Sequence, residues 1–207
     1  MRNLLKRIQG LFRRRLVLSY ILSRLHAIGI SIVPYYWTME QLKNIKLPEF
    51  KDRLEDYSFE KLGLQEVKNT AADLVPERID EFVSKVKKGS LCFGIKHHGR
   101  VIAYSWVELE NVLIWDKFRL KDNEAYLFDL FTARGYRGKN IAVYLRYEIY
   151  KYLNNIGQDT FYSITEVFNH PSVRFKEKLG ARFLKLGLSI ELFGKYKRNW
   201  DLKKYKD

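Results

Sequence analysis

Residues 125–142 read AYLFDLFTARGYRGKNIA. Ala125 to Thr132 is apolar and aromatic except for Asp129, which predicts a strand buried on both faces. It breaks at Ala133 into Arg134-Gly135-Tyr136-Arg137-Gly138-Lys139-Asn140. From Ile141 the period changes. Ile141, Leu145, Ile149, Tyr152 and Leu153 share one stripe of a long helix, and Gly157 lies just beyond it. A helix that opens after such a loop presents unpaired amides and a positive dipole end, which favour a phosphate or pyrophosphate. Gly138 lets the backbone approach closely, Ala142 leaves room on the first turn, and Arg137 and Lys139 add charge.

Outward from this stretch the elements alternate. Tyr57 to Leu64 predicts a first strand, and Leu64 to Asp73 and Pro76 to Lys88 two short helices. Pro76 suits a first helical position and Gly89 a stop. Leu91 to Lys96 and Val101 to Leu109 are strands joined by a turn at His98-Gly99-Arg100. Asn111 to Leu120 predicts a third meander strand before a turn at Lys121-Asp122-Asn123. Downstream, Thr160 to Val167 predicts a strand, Pro171 to Leu179 a short helix ended by Gly180, and Phe183 to Phe193 one or two final strands. The order implies a mixed α/β sheet. Gly29 to Trp37 is rich in β-formers but holds Pro34, so an extended piece or edge strand is expected. Residues 43–56, with Pro48 and several charges, form a connector between an N-terminal segment (1–56) and a main domain (57–207).

The chain has 207 residues, 46% hydrophobic and 15% aromatic, ample for a packed core. Its single cysteine, Cys92, excludes an intramolecular disulfide framework and a cysteine-built zinc site. Four scattered histidines suggest no metal cluster, and no metal is expected. The longest uncharged stretch, Ala27 to Met39, is short of the ~20 apolar residues a membrane span needs. A soluble protein of a reducing compartment, the cytoplasm, is the default expectation.

Net charge is +14 and unevenly spread. Residues 1–39 hold seven basic residues and no acidic one, while residues 48–81 hold ten acidic and five basic. The tail from Lys195 is basic again. Residues 1–25 read as a helix, with Leu4, Ile8 and Leu11/Phe12 on one face. Arginine with leucine and phenylalanine on an amphipathic helix suits an anionic membrane surface, such as the inner membrane face. Packing of that face on its own domain and an acidic partner protein are the alternatives. No nucleic-acid-binding motif accompanies the charge.

A second stretch, Asn169-His170-Pro171-Ser172-Val173-Arg174-Phe175-Lys176-Glu177-Lys178-Leu179-Gly180-Ala181-Arg182-Phe183, completes a pattern. With Arg137-Gly138-Lys139-Asn140-Ile141-Ala142 it resembles the GNAT superfamily of N-acyltransferases. In that family a pyrophosphate loop runs Arg/Gln-x-x-Gly-x-Gly/Ala, and a later segment runs Asn-x-x-Ser/Ala before a helix ending Leu-Gly. Here Asn169, Ser172, Phe175, Leu179, Gly180 and Phe183 match. The resemblance covers about residues 57–194. Asn140 departs from it by standing where glycine is preferred, although asparagine tolerates left-handed angles.

The resemblance implies a GNAT-like fold: a central sheet splayed between strands 125–132 and 160–167, flanked by helices. An extra amphipathic helical segment precedes it. Acyl-coenzyme A, acetyl-CoA above all, would lie in the gap, its pyrophosphate on loop 137–142. Its pantetheine would run along the strand near Phe131 and Thr132, with Asn169 and Ser172 on the far side. The activity implied is transfer of an acetyl or other acyl group to a primary amine of a small molecule such as an amino sugar or amino acid. Alternatives are a longer-chain acyltransferase fed by acyl carrier protein, which is acidic and suits the basic arms, and a catalytically silent acyl-CoA-binding or membrane-associated module.

Several residues are candidates for the chemistry. Asp129 is a charge inside an apolar strand, costly unless paired or functional; it is the first candidate base, its structural alternative being a bond to backbone or to an arginine such as Arg146. Glu166 is the second, at the end of its strand on one face with Tyr162 and Ile164. Lys176 stands where relatives carry a tyrosine acid; it would stabilise the thiolate or a coenzyme phosphate, or simply be solvated. Either another tyrosine is the acid, Tyr162 and Tyr144 being the candidates, or the thiolate leaves unassisted. His170 is expected on a surface loop, His97 and His98 at a solvated turn, and Cys92 in the core.

Overall fold

The computed structural model describes residues 22, 24–44, 54–110 and 119–205. The helix expected over 1–25 and the strand expected at Asn111 to Leu120 lie almost wholly outside them, although residues 24–27 are helical. The fold is mixed α/β, with strands and helices interleaved along the described residues. In chain order the elements are β1 (Ile30–Glu40), β2 (Tyr57–Leu62), α1 (Leu64–Leu74), α2 (Ile79–Lys87), β3 (Leu91–His97), β4 (Arg100–Glu108), β5 (Glu124–Thr132), α3 (Ile141–Asn155), β6 (Thr160–Glu166), α4 (His170–Lys178), β7 (Arg182–Leu192) and β8 (Tyr196–Lys204).

The chain divides into two compact units. The larger comprises Thr38–Ile164 and Arg174–Arg182. In it β2, β3, β4 and β5 form an antiparallel meander, and β6 joins β5 in parallel. Alternation along the strands supplies two cores. Phe93, Ile95, Ala103, Val107, Ala125 and Leu127 pack with Ile141, Leu145 and Ile149 of α3. Cys92, Tyr104 and Trp106 pack with Val67 and Ala71 of α1 and Phe82 of α2.

Two irregularities in β5 matter for function. The β4–β5 register slips between Tyr104 and Trp106, which pair with Phe131 and Phe128. Asp129 sits in that bulge at φ 51°, a left-handed angle that aspartate tolerates better than a branched residue. The slip reverses the alternation: Phe128 and Phe131 pack on the same side, against the α1–α2 core. Second, β5 pairs β6 only at Glu124↔Thr160, Ala125↔Phe161 and Tyr126↔Tyr162. Beyond that register the strands part, as the splayed sheet requires.

The smaller unit comprises the chain up to Trp37, Thr165–Val173 and Phe183–Asp207. Two expectations are corrected there. β1 is not an edge strand but lies within the strand order beside β7. Pro34 lacks an N–H and serves through its carbonyl, which accepts from Val167 N–H at 2.9 Å. The final strand is followed by another, β8, paired antiparallel with β7. Its sequence, YKRNWDLKK, holds too few apolar positions for the alternation to show, as suits a charged edge strand. Gly187 of β7 must lack a side chain, because a Cβ would overlap the Tyr35 ring.

Candidate functional site

The loop between β5 and α3 is built as the sequence expects. A 3₁₀ turn at Arg134–Tyr136 leads to Gly138 at φ 79° and Asn140 at φ 63°. The Asn140 carbonyl accepts the first intrahelical bonds, from Val143 and Tyr144. Among the described residues no protein group accepts from the Gly138, Ile141 and Ala142 amides. Asn140 adopts the left-handed angle that glycine would, and its Oδ1 accepts from Lys178 Nζ at 3.2 Å. Arg137 is exposed. Its Nε donates to the Thr132 carbonyl at 3.0 Å and its guanidinium lies 5.8 Å from the Phe131 ring centroid, which ties the loop to the strand. The Lys139 ammonium lies 5.7 Å from the Tyr136 ring. The loop thus sets these amides at the start of α3, with Arg137 and Lys139 in the same turn.

At the bulge, the partner expected for Asp129 is corrected. Arg146 lies elsewhere; Arg78 and Lys85, at the start and near the end of the α2 segment, hold the carboxylate. Arg78 donates from Nη1 at 3.1 Å and Nη2 at 2.5 Å, and Lys85 Nζ lies at 2.7 Å. Glu81 bridges both cations, and they push its carboxyl down to about 2. Arg78 and Lys85 also lie over the Phe82 ring. Both carboxylate oxygens are thus occupied by cationic donors. Asp129 is therefore suited to fixing the bulge rather than to taking a proton from an amine. Arg78, Glu81 and Lys85 were legible only as a helix face, since their spacing puts them in one row.

Lys176 is also corrected. It is 3% exposed, and its Nζ lies 2.5 Å from Glu40 Oε1 and 2.5 Å from Ser163 Oγ. It is spent inside the larger unit and offers nothing to a phosphate. Ser163 Oγ also donates to Glu40 at 2.5 Å, the Tyr150 hydroxyl donates to Glu40 Oε2, and Thr38 Oγ1 lies 2.8 Å from Ser163 Oγ. Arg146 is buried nearby, 5.7 Å from the Phe175 ring, and among the described residues its Nε and Nη1 have no hydrogen-bond partner. The cluster thus holds one carboxylate and two cations. Burial pushes the Lys176 ammonium down to about 8 against the pull of Glu40, and Arg146 adds to the push. Burial alone would raise the Glu40 carboxyl, but Lys176 and Arg146 hold it below the usual range. Sequence reasoning missed Glu40; its only signal was an acidic residue closing a β-rich run.

Tyr162 stands at the last position where β6 pairs β5, and its hydroxyl donates to Glu124 at 3.2 Å. Burial and Glu124 push it up to about 12. Tyr144, on the first turn of α3, is raised by burial. His97 is half-buried, its Nδ1 2.9 Å from the Tyr136 hydroxyl, and His98 is exposed. In the smaller unit, Asn169 Oδ1 accepts from Ser172 N–H at 3.2 Å, so it caps α4. Glu166 is exposed at the end of β6 and lines a depression with Ile32, Pro34 and Phe168.

The splayed strands, the bulge and the amide loop define an acyltransferase fold, and comparison with known proteins agrees. Residues 40–181 match the model of the acetyltransferase (GNAT) family, and the chain belongs to that family. No curated protein sequence matches it significantly. Among solved structures it resembles a GNAT acetyltransferase from Colwellia psychrerythraea (16% identity, TM-score 0.57, 78% of this chain and 57% of that one). It also resembles a Drosophila protein (13%, 0.56, 90% and 59%). A third is the glucosamine N-acetyltransferase region of a fungal multi-domain β-N-acetylglucosaminidase (16%, 0.57, 84% and 22%). Likeness at such identity shows the fold. The chain spans about three fifths of the Colwellia and Drosophila chains.

Proposed function

We propose that the chain transfers an acetyl or other acyl group from acyl-coenzyme A to a primary amine of a small molecule, such as an amino sugar or amino acid. The observation that carries this reading is the parting of β5 from β6 beyond Tyr126 and Tyr162, with the amide loop at the helix start beside it. The diphosphate takes the Gly138, Ile141 and Ala142 amides and the Arg137 and Lys139 charges. The pantetheine runs along β5 past Phe131. Because Thr132 already gives its carbonyl to Arg137, strand-like bonding falls to the residues before it.

The amine nitrogen attacks the thioester carbonyl, the C–S bond breaks, the amine loses a proton and the thiolate gains one. Holding both reactants in line supplies much of the rate. The bulge takes the backbone at Asp129 and Leu130 out of the one-to-one ladder, where an N–H serves the oxyanion. The base is then an ordered water or a carboxylate not held by cations.

Asp129→Asn keeps the left-handed bulge but releases Arg78 and Lys85. It is expected to lower the rate about tenfold or more while changing acetyl-CoA affinity little. The pH–rate profile should keep its shape, as a positioning role requires. Loss of its acidic limb would restore Asp129 as the base.

Thiol release from acetyl-CoA with a panel of amino sugars and amino acids tests the reaction. Rates above solvent hydrolysis are expected with at least one amine. Coenzyme binding without release from any amine would favour the silent module. The net charge of +14 favours an acidic acyl carrier as an alternative donor. Profiling carrier-bound against coenzyme-bound donors of increasing chain length separates that reading.

A further inference from the structure

The hairpin of β7 and β8 carries a surface that the proposed reaction does not use. Its register places Leu192 opposite Tyr196, Ile190 opposite Arg198 and Leu188 opposite Trp200. Directly paired residues share a face, so aliphatic, aromatic and guanidinium groups line one side of the hairpin. Tyr196 is 73% exposed, Trp200 43% and Leu192 37%. With Ile190, Lys195 and Arg198 they border a depression of about 490 Å³. At the tip, Phe193 is 67% exposed at φ 53°, and its N–H donates to the Gly29 carbonyl at 2.6 Å. Ile28, beside Gly29, is 63% exposed. The patch therefore runs from the β8 edge across the tip to the end of the N-terminal segment.

Contiguous exposed apolar surface of this kind marks an interaction site. Charge decides the occupant. Lys195, Lys197, Arg198, Lys203 and Lys204 crowd the hairpin, with Asp201 and Glu191 the acidic residues on its strands. A second copy would bring like charges together. Tryptophan and tyrosine interleaved with lysine and arginine match instead the boundary between lipid headgroups and acyl chains. The sequence of residues 1–21 adds six basic residues and no acidic one.

We propose that the β7–β8 hairpin docks on an anionic lipid bilayer, with Phe193, Tyr196 and Trp200 entering the interface and Lys195 and Arg198 meeting headgroup phosphates. The inference does not depend on the acyl transfer reaction. The test uses the full chain and vesicles of phosphatidylglycerol with phosphatidylcholine, against phosphatidylcholine alone. Co-sedimentation should need the anionic lipid and weaken as salt rises. Bromine-labelled acyl chains should quench a share of tryptophan fluorescence that Trp200→Phe removes. Lys195→Glu with Arg198→Glu should lower vesicle partitioning at least tenfold, at about 1 kcal/mol per basic residue near the surface, while acetyl-CoA binding stays intact. Binding without Trp200-specific quenching would overturn the proposal, because the N-terminal segment alone would then suffice. Failure to bind anionic vesicles would overturn it too, as would self-association that Trp200→Ser abolishes without any vesicle binding.

Discussion

Glu40→Ala is expected to cost the fold about 3–5 kcal/mol, since it strips the carboxylate from two buried cations. Lys176 and Arg146 are 3% and 2% exposed, so neither charge can turn to water. The effects of the three charged residues should be unequal. Lys176→Met leaves Glu40 with the charge of Arg146, which also holds its carboxyl down, and should cost less. Arg146→Met removes the excess charge and leaves a one-to-one pair; it should be neutral or mildly stabilising.

The pH dependence follows from Lys176. Its folded value, about 8, lies below the ~10.4 of an unfolded lysine. Between those values the unfolded chain binds more protons, so stability should rise with pH across that window. Lys176→Met should flatten the rise. Denaturant midpoints read all of these outcomes. Equal losses for Glu40→Ala and Arg146→Met would show that the cluster is not organised around Glu40.

The second large effect concerns the cofactor. Arg137→Glu combined with Gly138→Val should weaken acetyl-CoA binding by about two to three orders of magnitude. A hydrogen bond to a charged group contributes about 1.5–3 kcal/mol, and 1.4 kcal/mol is tenfold. The exchange reverses a charge and puts a β-branched residue at φ 79°. The fold should survive, because Arg137 and Gly138 are exposed and a Cβ on Gly138 meets nothing within 4 Å. Calorimetry gives the affinity and circular dichroism the fold. Unchanged affinity in a folded variant would remove the diphosphate from this loop.

How far the sequence could be read follows from the physics of each part. The strand 125–132, the loop and the helix at Ile141 were legible because period and turn chemistry are local. The splay was legible only through the family resemblance, since no local pattern says where two strands stop pairing. The bulge at Asp129 stayed hidden behind a plausible catalytic reading: a lone acid in an apolar strand looks the same whether it is a base or a clasp. Its partners lie on a helix about fifty residues earlier, and such pairings need tertiary structure. Lys176 and Glu40 failed for the same reason, as one is at the end of β1 and the other on α4. β8 was missed because a lysine-rich edge strand carries little alternation.

The most direct measurement is a crystal structure of the chain with acetyl-CoA. It should show the diphosphate on the Gly138, Ile141 and Ala142 amides and the thioester beside the bulge at Asp129 and Leu130, between the parted ends of β5 and β6. A cleft filled by the protein's own side chains, with the coenzyme bound elsewhere or not at all, would contradict the account.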